Sequence, residues 1–337
     1  MQLKANKSPV RRVWNWFSSR NTIIAFLLLF IAAAIMFSDR KFLSFNSVHN
    51  IFRKVAQDNG VAALGIAFVI LLGQIDLSVG STLALSGVIS VLVANMGYPL
   101  LGAAAGILVG VVAGFITGLM VAKMKISSWI ASLAMMLALR SVVLLISNQQ
   151  PIPLQSAIFM DLGQIKWFNV SIMVYIYIAI LLISMFISRH TRLGTGLYAV
   201  GGNEEAARMM GLKVDKIKIL AYVICGAICA VGGIMMASRM RSAQPLAGTT
   251  WETYAIASCA LGGLKLTGGE GKFSGVFFGS LIIAVLNTMF NYSPSINTWW
   301  QNILMGALVL ISVGLQTDAI KLRLPKASKP TTAEESK

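Results

Sequence analysis

Carboxylates, cysteines and histidines are all scarce in this 337-residue chain, which has 12 Asp and Glu against 28 Lys and Arg, three cysteines and two histidines. Cys225, Cys229 and Cys259 lie in apolar stretches with no CxxC pairing. That pattern speaks against disulfides or a thiolate metal site and makes them small core residues. His49 and His190 offer no metal-ligand spacing, so no metal is expected. Gly271-Lys272 is followed by Phe273 rather than Ser or Thr, so the chain has no P-loop of its own. No nucleophile–base arrangement stands out, and no catalytic residue is assigned. Charged residues make up 12% of the chain, about half the share of a soluble domain.

What the chain has instead is long uncharged runs. It is 56% hydrophobic with a mean hydropathy of +0.75, the composition of an all-α polytopic membrane protein. The formal net charge of +16 gathers in the tails and one central loop. Charge placed there orients a protein in a bilayer rather than binding nucleic acid. The basic start carries Lys4, Lys7, Arg11, Arg12 and Arg20 beside Trp14 and Trp16, and runs into the first apolar segment without a cleavage pattern. That segment is expected to stay as an anchor.

Ten transmembrane segments are expected: 21–37, 60–73, 82–94, 99–121, 129–146, 170–187, 217–237, 251–264, 273–290 and 299–313. They form one permease-sized unit over 21–316, with a basic tail at 1–20 and a lysine-rich, disordered tail at 317–337. An even count places both termini, Lys123, Lys125 and the loop 189–218 on the cytoplasmic side. Arg40, Lys41, Arg53 and Lys54 fall on the wrong side, so that piece is an interfacial helix or the first span is miscounted. A glycine stripe at 102, 106, 110, 114 and 118 predicts close helix packing.

The central loop holds NEEAARMMG at 203–211. Asn203 is a good N-cap, Glu204 and Glu205 suit the first turn, and Gly211 can end the helix. Ala206, Met209 and Met210 are expected to share one face. A short helix of this kind fits a groove on a soluble partner or lies on the bilayer surface, and the pattern is the same for both.

Two charges sit inside apolar segments. Asp76, with Gln74, Ser78, Gly80 and Ser81, reads either as a lining or hinge element of a transport path or as an Asp–Ser cap on the next helix. Arg140 either pairs with a carboxylate or reaches toward the loop after residue 148. Arg241, Gln244 and Glu252 flank a turn expected on the outer face. There they meet a soluble partner or are simply solvated. Asn287, near a span's outer end, is explained by capping and water contact. The stretches 73–87 and 263–279 are both glycine-interrupted and both follow an inward-running segment, which reads either as a transporter core built from repeats or, since the spacing does not align, as chance similarity of glycine-rich membrane sequence.

Three motifs carry a family resemblance: IDLSVGS at 75–81; HTRLG at 190–194 with AVGGNEEAARMMGLKVDKIKI at 199–219; and RSAQPLAGTTWE at 241–252 with LGGLKLTGGEGKFSG at 261–275. Together they resemble the sugar-type permease subunits of bacterial ABC importers, ribose-type permeases among them. The resemblance implies an ABC importer permease fold with broken helices in the inner membrane. It implies a coupling helix made of Asn203, Glu204, Glu205, Ala206, Arg208, Met209 and Gly211. The implied partners are an ABC ATPase that binds ATP and Mg, a second permease copy (the same chain or a related one), and a periplasmic or lipid-anchored sugar-binding protein. Gln74 stands where glycine is frequent, and Thr253-Tyr254 replaces a leucine-aspartate pair. These departures widen the expected solute from ribose to other sugars, a nucleoside or an autoinducer-2-like molecule. Rival readings of the same chain are an ion-coupled secondary transporter using Asp76, or an ATPase-independent channel or membrane scaffold.

Overall fold

In the computed structural model the structure describes residues 19–36, 42–292 and part of the stretch 299–310. Most of the N-terminal tail, Arg40, Lys41, the end of the tenth expected span and the tail at 317–337 lie outside the described residues.

Apolar sequence becomes helix because a backbone in lipid must satisfy its own hydrogen bonds. The helices are α1 (Ser19–Met36), α2 (Phe45–Gln57), α3 (Asn59–Ile70), α4 (Val79–Asn95), α5 (Pro99–Ala122), α6 (Ser128–Ser147) and α7 (Ala157–Leu162). They continue with α8 (Ile172–His190), α9 (Arg192–Gly202), α10 (Glu204–Met209), α11 (Val214–Met240), α12 (Trp251–Leu261) and α13 (Phe273–Tyr292). The described residues between 299 and 310 are also helical. Two short antiparallel ladders pair β1 (Ile152–Pro153) with β4 (Ser242–Ala243), and β2 (Lys166–Trp167) with β3 (Val170–Ser171). Among the described residues five helices, α5, α6, α8, α11 and α13, are each long and apolar enough to cross a membrane alone.

Helix α3 is buried on every side, as a helix that is apolar all round should be. Helix α11 lies along α3, α4 and α5. The glycine stripe explains that packing. Gly102 and Gly106 lie on the α4 backbone near Ser90, and Gly110, Gly114 and Gly118 lie on α11 between Ile219 and Ala230. Leu28, Ile35, Leu100, Leu108, Leu137, Leu145, Leu182 and Phe186 face outward, an apolar belt suited to lipid. All three cysteines are free and buried in the core.

Two boundaries differ from expectation. The eighth segment is only the 11-residue α12, about 16 Å long and too short for a ~30 Å hydrocarbon core. It begins at Trp251, because Thr250 is left-handed (φ 66°) and residues 244–250 run as irregular turns. The misfit piece at 45–57 is helix α2, which buries Ile51, Val55 and Ala56 while Arg53 stays exposed. The helix axis breaks at Asp58 (φ −105°, ψ −121°) before α3 begins.

Candidate functional site

The loop at 189–218 is more structured than its sequence suggests. The Thr191 hydroxyl accepts from Gly194 N at 3.1 Å and starts α9, despite four glycines within 11 residues. After α9, Asn203 is extended, and its Oδ1 accepts from Ala206 N at 2.9 Å, the N-cap bond of α10. Helix α10 ends in a Schellman pair, Gly211 N to Arg208 O and Leu212 N to Ala207 O, with Gly211 at φ 82°.

The side chains of α10 divide by role. Ala207 is fully buried, and Met209 and Met210 are 80% and 71% exposed. Glu204 and Arg208 turn back onto the chain in a run of ion pairs: Lys218–Glu204 at 2.7 Å, Glu204–Arg208 at 3.4 Å, Arg208–Asp215 at 3.1 Å and Asp215–Lys123 at 3.2 Å. The run ties α10 to the start of α11 and to the end of α5. It leaves Glu205, Met209 and Met210 as the outward face. Glu205 makes no ion pair among the described residues.

Burial would raise the Glu204 carboxyl, but the bonded Lys218 ammonium and the Arg208 guanidinium outweigh it and hold the group below the usual glutamate value. A depressed carboxylate contributes its hold above its unfolded-state pKa and loses it as pH falls through the lower folded-state value. Acidification below the usual glutamate pKa should therefore lower the amide protection factors over 204–212, each taken against the intrinsic exchange rate at the same pH. Glu204→Gln should show low protection throughout that range. Equal and pH-independent protection in both proteins would remove this role for the pair.

The ion pairs border a cavity of about 680 Å3 that also takes in Gln74, Lys125, Ser127 and Ser128. Beside it lies the break between α3 and α4. Helix α3 closes with Gly73 N to Ile70 O and Gln74 N to Val69 O, another Schellman pair. Helix α12 closes identically, with Gly263 N to Ala260 O and Leu264 N to Cys259 O. The two glycine-interrupted stretches thus share their helix stop, although five residues lie between Gly73 and α4 and nine between Gly263 and α13.

The breaks also touch. Gly269 N donates to Leu71 O at 2.9 Å, and Gly73 and Gly268 abut backbone to backbone. Gly201, near the end of α9, packs on both Leu71 O and Gly269 N, and Tyr198 donates from its hydroxyl to Gly271 O at 3.0 Å. The helix leading into α10 is therefore seated on both broken helices at once. Sequence reasoning missed this seat. Its one visible trace was the Gly201-Gly202 pair ahead of Asn203.

Asp76 is 3% exposed, and its Oδ1 accepts from Ser78 N at 2.8 Å and from the Ser78 hydroxyl at 2.6 Å. This is a turn two residues long, and Ser78 makes no side-chain cap on α4. Ile75 N donates to Ser128 Oγ at 3.4 Å and the Ser132 hydroxyl to Ile75 O at 3.3 Å, which fastens the break to α6. Gln74 lines the cavity, whereas Asp76, Ser78 and Ser81 are buried in protein. Gly80 abuts Gly248 and comes close to Glu252 Oε2.

Arg140 neither meets a bonded carboxylate nor reaches the loop at 148. Its Nη1 donates to Pro245 O at 2.7 Å and Ala247 O at 2.9 Å, clamping the irregular strand that leads into α12. Arg241 caps α11 in a left-handed conformation (φ 52°) beside the β1–β4 ladder and is exposed. Gln244 donates to Ser242 Oγ at 2.8 Å. Glu252 lies in the first turn of α12 with its carboxylate beside Gly80.

Residues 55–313 match the family described as "Branched-chain amino acid transport system / permease component". The chain belongs to that family. The permease is also 36% identical over 305 residues to the ribose import permease protein of Escherichia coli K12, covering 88% of this chain and 93% of that one. It is 35% identical over 303 residues to the L-arabinose transport system permease protein of the same strain, covering 90% of each. It is 37% identical over 295 residues to the ribose import permease protein of Bacillus subtilis 168, covering 86% and 90%. No solved structure matches. The permease is thus a multi-pass membrane transport subunit rather than an enzyme.

Proposed function

We propose that this permease is the membrane-spanning subunit of an ATP-driven importer that moves a monosaccharide by alternating access. ATP and Mg are bound and hydrolysed on a separate ATPase partner, and the α10 end of the bundle, with both termini, faces the cytoplasm. A second permease copy completes the pathway, and a sugar-binding protein delivers solute at the end bearing Arg241 and the β1–β4 ladder. The observation that carries the reading is the outward pair Met209 and Met210 on a helix braced from behind by four ion pairs. A bilayer-surface helix needs no such bracing, whereas a lever pushed by a partner does. The importers of ribose and arabinose among its relatives support the sugar class. An ion-coupled mechanism would need Asp76 to meet water, and its burial in the Ser78 turn speaks against that role.

Purification with the candidate ATPase and binding protein into lipid discs tests the reading. One liganded binding protein should stimulate ATP hydrolysis, and the ATPase should co-purify stoichiometrically. Absence of any bound ATPase, with α10 intact, would overturn it. Met209→Asp and Glu205→Arg should insert normally yet lower sugar-stimulated hydrolysis at least tenfold. A charge buried in an apolar contact leaves about 1.4 kcal/mol or more uncompensated, and that amount corresponds to a factor of ten. Unchanged coupling in both would remove α10 as the docking element.

A further inference from the structure

Toward the ladder end, where α2, α3, α11, α12 and α13 converge, lies a second cavity of about 320 Å3. Asp58, Asn59, Arg239, Trp251, Tyr254 and Asn287 line it. None belongs to the coupling helix or to the breaks that follow α3 and α12. The Arg239 guanidinium is fixed by Asp58 Oδ1 at 3.2 Å and by Gln57 Oε1 at 3.1 Å. The Tyr254 hydroxyl donates to Asn302 Oδ1 at 3.0 Å. Two polar atoms of the lining residues are buried with no partner among the described residues, the donor Asn59 Nδ2 and the acceptor Asn287 Oδ1. Asn59 itself is 6% exposed.

An unpaired amide at this depth is costly, about 1–3 kcal/mol for each group, and native proteins keep few such groups without a reason. An unpaired donor and an unpaired acceptor on residues that wall one small cavity match, once those side chains turn toward it, a group that both gives and takes a hydrogen bond. Hydroxyl is that group. A monosaccharide carries a rim of hydroxyls around flat C–H faces, and its binders place a planar aromatic against the faces and amide or charged groups around the rim. This lining has both parts, Trp251 and Tyr254 for the faces and Asn59, Asn287, Asp58 and Arg239 for the rim. The size admits one sugar ring with room for a few waters, since the volume equals that of roughly ten waters at ~30 Å3 each. It sits at the small end of the range for ligand sites, which starts at about 300 Å3.

We infer that this cavity is a sugar subsite within the permease, which takes one neutral monosaccharide after delivery and before it passes the α3 and α12 breaks. The break of the α2–α3 axis at Asp58 serves it, because that break puts Asp58 and Asn59 side by side at the cavity wall. So does the short α12, whose start at Trp251 places an aromatic ring where a full-length span would carry helix backbone. The inference rests on the monosaccharide reading above.

The test is uptake of radiolabelled ribose and L-arabinose by the reconstituted importer in proteoliposomes, for the wild type, Asn59→Leu, Asn287→Leu and Trp251→Ala. Leucine has nearly the size of asparagine and removes only its hydrogen bonds. A site that bonds a substrate hydroxyl discriminates strongly by that contact. The uptake ratio of the two sugars should shift at least tenfold in one or more of the variants. A merely structural defect would lower both sugars together. Asn287→Ser, which restores a hydroxyl in a smaller side chain, should recover part of the original ratio and guards against a leucine variant that does not fold. Wild-type uptake of either sugar, with its ratio unmoved in every folded variant, would overturn the subsite and leave the importer standing. No uptake of any sugar by the wild type would overturn the monosaccharide reading and the subsite with it.

Discussion

Gly226→Leu should yield almost no folded permease. Gly226 on α11 and Gly110 on α5 pack carbonyl against Cα, and a Cβ on either strikes the backbone oxygen of the other. The same added atom would also come to 3.2 Å of Gly114 N. Helix association in lipid gains nothing from expelling water and relies on close contact, so a contact between two backbones is where a side chain does most harm. Overpacking an ordinary core costs about 1–3 kcal/mol when side chains can shift. Here the obstacle is backbone, and α11 is held on its other sides by α3 and α4, so the cost should lie above that range. Gel filtration of detergent extracts should show aggregate in place of the wild-type peak. Leu220→Ala, on the same helix but 46% exposed, should behave as wild type, since substitutions on an exposed face usually stay within about 0.5 kcal/mol. A Gly226→Leu protein that elutes and melts as wild type would show that α5 and α11 do not meet as described.

The glycine stripe on α5 was readable in advance because its spacing is one helical turn and glycine has one dominant use at that spacing in an apolar helix. The membrane class and eight of the helical segments were readable for the same reason, that uninterrupted apolar sequence in lipid has one backbone solution. Helix α9 was not, because glycine-rich GTGLYAVGG has low helix propensity and forms only where α8, α11 and the two breaks support it. The short α12 was hidden by composition. Its residues are apolar enough for a span, but the left-handed Thr250 and the Arg140 clamp on Pro245 and Ala247 fix where it begins. Arg140 itself was anticipated beside a carboxylate or a polar loop, because a sequence displays side chains and conceals the backbone carbonyls that an irregular strand leaves open. The paired asparagines of the second cavity belong to helices more than two hundred residues apart, beyond any local pattern.

Gly201→Val should abolish transport while the ATPase partner still binds. The proposed docking face, Glu205 with Met209 and Met210, begins four residues further on and is exposed, whereas Gly201 is seated on Leu71 and Gly269. A side chain at 201 would push α9 off both breaks together, because the Gly269 N to Leu71 O bond joins them beneath it. Motion of α10 would then no longer reach α3 and α12. If the seat is the transmission, sugar uptake should fall at least a hundredfold, and hydrolysis should lose its stimulation by the liganded binding protein. Gly202→Ala supplies the control, since a Cβ at 202 meets nothing within 4 Å. It sits next to Gly201 in the same helix, so both variants carry a helix-propensity change and only one disturbs the contact. Equal transport by the two would mean that α10 drives the breaks by another route. The ion-pair run from Glu204 through Asp215 to Lys123 on α5 would then be the next path to cut.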